Sequence, residues 1–195
     1  MNATSARAEL VTLLQMAYSG ERAAAYAYLG HRRSLRRPKR ADDREMLRLV
    51  LLDEIRHRRA VRRLLHVLDS APDPARERKM RRIGLTIGAF CQVGGWYAPM
   101  YGAGKLERGN IVEYEVAARL AHLAGHPGMV DELLELAEVE WDHERLFRTS
   151  AASHRLWWVS PKWPETEARE HIRSSFDAFL SGDEPEPALR WNPLR

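Results

Sequence analysis

Cysteine is almost missing from this chain, since Cys91 is the only one among 195 residues. A single cysteine excludes an intrachain disulfide and any metal cluster held by several thiolates. Such cysteine usage is typical of a reducing compartment, so we predict a cytoplasmic location. The first residues also lack a long apolar run, because Arg7 and Glu9 interrupt it, and we therefore expect no secretory signal.

Strict alternation of apolar and polar residues is absent as well, and with it the pattern of a half-buried strand. Apolar residues instead recur three or four positions apart along almost the whole chain, which predicts an all-α fold. We expect the third helix to be unusually long, with Pro99 and several glycines as kink points. Proline- and aspartate-rich breaks place the helices at about Ser5 to Pro38, Asp42 to Asp69, Pro74 to Ala124, Pro127 to Ser153 and Glu165 to Leu180.

The helices divide into two predicted units. Residues 1–155 form a helical bundle, and residues 156–195 form a Trp-rich C-terminal extension with a short helix and a flexible tail.

Acidic residues are scarce between His31 and Arg82, where 18 Lys and Arg stand against 8 Asp and Glu. Such a surface would suit binding to anionic lipid or nucleic acid, or it is an Arg-rich face that is solvated and binds neither. Nucleic acid is disfavoured, because no aromatic residues interleave with the basic run "HRRSLRRPKR" to stack on bases.

Glu-x-x-His occurs twice, as "EIRH" from Glu54 and as "EWDH" from Glu140. Each motif follows a further glutamate by 33 residues, Glu21 in the first case and Glu107 in the second. A shift of 86 residues superposes one set on the other. This pattern indicates the internal duplication of a pair of helices.

The duplicated residues have the spacing of a metal site. Residues three apart on a helix lie about 5–6 Å apart on one face, so a Glu-x-x-His pair can hold an ion from one side. Four inward Glu and two inward His are the ligand set of ferritin-like di-iron or di-manganese bundles. We therefore predict a ferritin-like antiparallel four-helix bundle with an extra C-terminal helix and two iron ions, with manganese as the alternative. The predicted ligands are Glu21, Glu54, His57, Glu107, Glu140 and His143.

Two tyrosines share the duplication, because the same shift carries Tyr28 onto Tyr114. Each lies two turns from the first glutamate of its own copy. They fit a role beside the ligands, as hydrogen-bond partners or redox-active groups, and they fit core packing equally well. We expect each histidine to donate its other ring nitrogen to an acceptor, and Asp53 and Asp142 are adjacent to ligands in the sequence.

A charge-free stretch of 22 residues, "IGLTIGAFCQVGGWYAPMYGAG", precedes Glu107. Its six glycines and Pro99 make it a poor membrane span, so we assign it to the bundle. Counting back from Glu107 by helical turns gives one apolar face, which predicts either a channel for a hydrophobic substrate or plain core packing. The residues of this face are Val93, Trp96, Met100 and Ala103.

The order of Glu, Glu-x-x-His, a Gly-rich apolar helix ending in Glu, and a second Glu-x-x-His resembles the demethoxyubiquinone hydroxylase family of ferritin-like di-iron monooxygenases. The resemblance covers about Ala17 to Phe147, and "SGERAAAYAY" around Glu21 is similar to the family's first ligand segment. It implies hydroxylation of a quinone-ring precursor in ubiquinone biosynthesis, with dioxygen and an external electron donor. It also implies peripheral contact with the inner face of a membrane, and it leaves room for a homodimer.

Two other functions fit the same ligands. A ferritin- or rubrerythrin-like protein would handle iron or scavenge peroxide, although a rubrerythrin-like site calls for a carboxylate at the position of Asn110. A di-iron tRNA hydroxylase would use the basic half of the chain. We favour a di-iron monooxygenase that hydroxylates a hydrophobic aromatic or quinone-like substrate.

Overall fold

A computed structural model of the chain describes residues 1–36 and 40–182. Six α-helices account for most of these residues and no strand occurs among them, so the predicted all-α class is confirmed. None of the helices in this part of the chain is long and apolar enough to cross a membrane. The helices are α1 (Ala3–Ser34), α2 (Ala41–Val67), α3 (Pro74–Phe90), α4 (Tyr97–Leu123), α5 (Val130–Ala152) and α6 (His171–Ser181).

Side-chain caps fix where two of the helices begin. Helix α1 starts before the predicted Ser5, because the side chain of Asn2 accepts a hydrogen bond from the Ser5 amide at 2.9 Å. Helix α3 starts where predicted, because Asp73 accepts from the free amide of Ala75 and Pro74 occupies the first turn.

The prediction of one long helix from Pro74 to Ala124 is wrong, because the chain forms two separate helices there. Helix α3 ends at Phe90, and Gly95 has a φ of 70°, a left-handed conformation that glycine adopts without strain. Pro99 lies in the first turn of α4, where its missing N–H removes no helical hydrogen bond. The expected kink is therefore a break.

Helices α1, α2, α4 and α5 surround a common centre. Helix α1 packs against α2 and α4, and α4 packs against α5. Arg7, near the start of α1, donates to the carbonyl of Leu68 just beyond the end of α2, so these two helices run antiparallel. Gly104, near the start of α4, lies against Phe147 near the end of α5, which makes this pair antiparallel too.

Helix α3 lies outside this group and runs parallel to α1, to which it is joined by a contact between small residues. A Cβ atom on Gly30 would lie 2.3 Å from the Cα of Gly88, and one on Gly84 would lie 2.4 Å from the carbonyl oxygen of Ala23. The two backbones therefore touch directly, as at small-residue crossings of helices. Apolar residues of α3 face outward, and Phe90 is 67% exposed.

We expect Gly84→Ala to destabilise the protein by about 1–3 kcal/mol, because the backbone of α1 leaves no space for the added methyl group. Thermal unfolding with and without the substitution measures the effect. Gly109→Ala on α4 is the matched control, since a Cβ there meets no atom within 4 Å and alanine favours a helix by roughly 0.8–1 kcal/mol. Equal melting temperatures for the two variants would contradict the close contact.

The C-terminal extension packs onto α4 and α5 as far as it is described. Trp163 is buried against Gly104, and its indole N–H donates to Glu144 at 2.8 Å. Ile172 and Phe176 of α6 join the main hydrophobic core. Helix α6 begins at His171, later than the predicted Glu165. The predicted flexible tail lies, from residue 183 onward, outside the described residues.

Candidate metal centre

The four central helices bring all six predicted ligands together. They form two groups of four residues, and within each group one potential ligand atom per residue lies within 4.8 Å of all the others. Glu54 and Glu140 belong to both groups, so they stand between two candidate ion positions. One group is Glu21, Glu54, His57 and Glu140, and the other is Glu54, Glu107, Glu140 and His143.

Both histidines direct Nδ1 to the centre. The Nδ1 atom of His57 lies 2.9 Å from a carboxylate oxygen of Glu140 and 3.8 Å from one of Glu21. The Nδ1 atom of His143 lies 3.6 Å from Glu54 and 3.8 Å from Glu140. The two candidate positions therefore have one histidine each.

The centre contains polar atoms that the protein itself does not satisfy. Both carboxylate oxygens of Glu54 are buried without a hydrogen-bond partner, and so are Oε2 of Glu21 and Oε1 of Glu140. The Nδ1 atoms of His57 and His143 also lack a hydrogen bond of good geometry, although that of His57 lies 2.9 Å from Oε1 of Glu140. Buried polar groups are nearly always paired, and each unpaired one costs about 1–3 kcal/mol. Oxygen and imidazole donors converging in this way fit a pair of iron or manganese ions.

The charges of these groups are strongly coupled. Burial, together with neighbouring carboxylates, raises the pKa of Glu54 and of Glu107 well above the ordinary value. Burial favours the neutral ring of each histidine, yet the nearby carboxylates outweigh it and raise the pKa of His57 to about 11 and that of His143 to about 10. Without metal, protons thus occupy the site.

We expect metal loading at pH 7 to release at least about two protons, one from each histidine, because only the neutral ring binds an ion. For the same reason the apparent metal affinity should rise with pH until both rings are neutral, above the pKa of about 10 for His143 and about 11 for His57, and fall as the solution becomes acidic. Titration of the metal-free protein in weak buffer with an indicator dye measures the release. The His57→Gln variant should release about one proton fewer, and proton-neutral loading would contradict this assignment.

Each of the two tyrosines donates a hydrogen bond to a glutamate of the other copy. Tyr28 of α1 donates to Glu107 of α4, and Tyr114 of α4 donates to Glu21 of α1. Burial, with the charges of nearby carboxylates, raises the pKa of both phenols well above the ordinary value, so both remain protonated donors. Each phenol thus orients a glutamate that belongs to only one of the two groups.

Two residues outside the ligand set lie beside the candidate ligands. Asp53 lies on α2, and its Oδ2 atom is 3.5 Å from Nε2 of His143. Asn110 donates to Glu107 at 2.7 Å and reaches Glu140 at 3.4 Å. Asp142 is mostly exposed and pairs with Arg169 instead. Of the two aspartates adjacent to ligands in the sequence, only Asp53 therefore lies beside a histidine ring.

Two further acids are buried or partly buried near the ligands without joining either group. Glu113 has a buried oxygen with no hydrogen-bond partner, and burial, with the charges of Glu21 and Glu140, raises its pKa to about 8. Glu144 is fully buried, but Arg148 and other donors occupy its oxygens.

The predicted channel face is divided by the break between α3 and α4. Val93 lies in the connecting turn and is 83% exposed, and Trp96 immediately precedes α4. Met100 and Ala103 are buried in a second apolar cluster that also contains Tyr28 and Phe147. This apolar cluster therefore meets the candidate metal centre at Tyr28, whereas Val93 lies on the surface.

Comparison with protein-family models, with curated proteins and with solved structures gives no match for this chain.

Proposed function

We propose that this chain is a ferritin-like di-iron monooxygenase that hydroxylates a hydrophobic aromatic or quinone-like substrate. The observation that carries the proposal is the pair of overlapping ligand groups that share Glu54 and Glu140. Two ions with shared carboxylates are the arrangement of di-iron carboxylate bundles. Manganese has the same ligand preferences and is the alternative metal.

Two reduced iron ions, when bound, would supply the centre at which dioxygen is reduced, with one oxygen atom entering the aromatic ring and the other leaving as water. The balance requires two electrons from an external donor and two protons. The chain's part is to hold the ions and exclude water, and the ligands are at most 4% exposed. Tyr28 and Tyr114 keep Glu107 and Glu21 in place.

The surroundings of Tyr28 support an apolar substrate. Its ring stacks on Phe147 with centroids 5.4 Å apart, and Met100 and Ala103 belong to the same cluster. A flat ring in this cluster would contact the phenol that holds Glu107. We propose that the substrate enters here, through movement of the side chains at the start of α4.

The end of the bundle near this cluster has the character of a lipid-binding surface. We define the apolar tip as Phe90, Val93, Trp158 and Val159, which are 67–83% exposed. Tyr97 stacks on His154 with centroids 4.8 Å apart, so the two turns that form the tip lie at the same end. Arg155 and Lys162 are exposed cations that flank Trp158 and Val159 in the chain. We propose peripheral contact with an anionic membrane, to which each cation contributes about 1 kcal/mol.

We expect the double substitution Phe90→Ser and Trp158→Ser to weaken binding to phosphatidylglycerol vesicles by at least about tenfold, because it removes the largest apolar groups of the tip. Co-sedimentation at moderate salt measures the bound fraction. Val67→Ser, at the opposite end of the bundle and 55% exposed, is the matched control. Equal binding of all three proteins, or no binding by the wild type, would contradict lipid contact through the tip.

Nucleic acid remains the less suitable partner of the basic half. Several of its arginines are engaged with acids of the chain, including Arg48 with Glu45 and Arg58 with Glu77. Arg63 likewise pairs with Glu132. These pairs reduce the charge available to phosphates.

The decisive experiment loads the metal-free protein with ferrous iron under nitrogen, adds a chemical reductant and short-chain quinone or phenol analogues, and admits isotopically labelled dioxygen. Incorporation of one labelled oxygen atom into a ring, detected by mass spectrometry, is the expected result. Rapid iron oxidation without any ring product, together with unchanged behaviour after Ala103→Leu, would instead favour an iron-handling or peroxide-scavenging protein.

A further inference from the structure

We infer that the two metal positions are unequal, and that the ion between Glu107 and His143 is bound more tightly than the ion between Glu21 and His57. The inference rests on the proposed dimetal centre. It adds an order of loading to that centre and assigns Asp53 as a positioning residue.

The duplication provides the baseline for comparing the two positions. The six candidate ligands and the two tyrosines all obey the shift of 86 residues, and the tyrosine contacts obey it too. A centre built from these residues alone would hold two equivalent ions. Residues that contact the ligands but break the shift are therefore what distinguishes the two positions.

Asp53 is the first residue that breaks the symmetry. It stands 3.5 Å from the outer nitrogen of His143, a buried atom that makes no hydrogen bond, and Arg56 holds the same aspartate at 2.6 Å. The shift carries Asp53 onto Val139, whose side chain has no polar atom. Within the described part of the chain, the only acids in ion-pair range of His57 are the candidate ligands Glu21 and Glu140.

A carboxylate behind a histidine ligand fixes the ring orientation and increases its basicity toward the metal, and loss of such a partner typically costs 10–100-fold in affinity. Asp53 stands in position to give His143 this support, and His57 has no carboxylate in the corresponding position. The difference favours the ion on the His143 side.

Asn110 breaks the symmetry in the same direction. Its amide donates to Glu107 at 2.7 Å and lies 3.4 Å from Glu140, so it orients two carboxylates of the His143 group before an ion arrives. The shift carries Ala24 onto this position, and alanine has no donor. Both asymmetric contacts therefore support the same ion position.

The expected consequence is stepwise loading, with dissociation constants for the two steps that differ by about 10–100-fold. When metal is limiting, most chains would hold a single ion at the His143 position. The His57 position would fill last and empty first.

The test is an anaerobic titration of the metal-free full-length chain with Mn²⁺. Calorimetry measures the binding steps, and electron paramagnetic resonance monitors the bound ions. Wild type should show two steps, with the spectrum of an isolated ion at one equivalent and that of a coupled pair at two. Asp53→Asn should weaken the tighter step by about 10–100-fold and change the weaker step much less. Asp142→Asn is the matched control, because that aspartate is 53% exposed and pairs with Arg169.

Four further variants test this assignment of the steps. His57→Gln should retain the tighter step, whereas His143→Gln should lose it. Val139→Asp places a carboxylate at the position equivalent to Asp53, and it should bring the weaker step closer to the tighter one. The test with Val139→Asp does not depend on whether Asp53→Asn folds. Asp53→Glu keeps the carboxylate, so it should retain much of the tight step that Asp53→Asn loses.

The outcomes separate this inference from the proposed centre. One step of two equivalent ions, or equal weakening of both steps in Asp53→Asn, would overturn the inequality and leave the dimetal centre standing. Retention of the tight step in His143→Gln would reverse the assignment. Failure of wild type to bind Mn²⁺ or Fe²⁺ at all would overturn the centre itself.

Discussion

Replacing Glu54 by glutamine should weaken binding of both metal ions by more than about 100-fold, without lowering the stability of the metal-free protein. Glu54 belongs to both ligand groups, so one substitution removes a negative ligand from each ion position. Neither of its buried oxygens has a hydrogen-bond partner. Burial and neighbouring carboxylates also raise its pKa well above the ordinary value, which favours the neutral carboxyl that glutamine resembles.

Metal content after dialysis against dilute Fe²⁺ measures the first half of this expectation, and thermal unfolding in the presence of a chelator measures the second. We expect the metal-free melting temperatures of variant and wild type to agree within the equivalent of about 1 kcal/mol. If the variant retained two ions, Glu54 would not be a shared ligand. If it unfolded in chelator, Glu54 would instead be a structural residue.

Replacing Glu144 by glutamine should have the opposite effect, a loss of stability with metal stoichiometry unchanged. Glu144 is as buried as Glu54, but its oxygens accept from Arg148 at 2.7 Å, from Trp163 at 2.8 Å and from Thr166 at 3.3 Å. The substitution leaves the Arg148 guanidinium buried without its counter-charge, which costs about 3 kcal/mol or more.

For a chain of this length, such a cost lowers the melting temperature by roughly 6–12 °C. Hydrogen exchange should increase first in residues 156–182, because Glu144 anchors Trp163 and Thr166 of that segment. The folded variant should still bind two ions. A variant that lost metal at wild-type stability would place Glu144 in the centre.

The sequence was sufficient to predict that these six side chains converge, because the signal is local and occurs twice. Glu54 and His57 are three residues apart, and the spacing to Glu21 is repeated in the second copy. Helical geometry converts such spacings into a common level and a common face. The structure brings these residues together, whereas their role as metal ligands remains a prediction for the experiments above.

Other features depend on contacts between distant segments and could not be predicted in this way. Asp53 and Asp142 are each adjacent to a candidate ligand in the sequence, and only the packing of α2 against α5 places Asp53 near His143. The close backbone contact between Gly30 of α1 and Gly88 of α3 likewise joins distant segments. Glu144 is distinguished from the other acids by its contacts with Trp163 and Thr166 of the C-terminal segment.

The exchange of tyrosine partners also determines when the centre can form. Tyr28 and Glu107 are 79 residues apart, and Tyr114 and Glu21 are 93 apart, so neither contact exists until both copies are folded. Contacts between residues so distant in the chain form late, because the intervening segment must first be ordered. During synthesis α1 and α2 leave the ribosome well before α4 exists. At that stage their three candidate ligands lack the other three. If all six candidate ligands bind metal, an ion would therefore be captured only after both copies have folded.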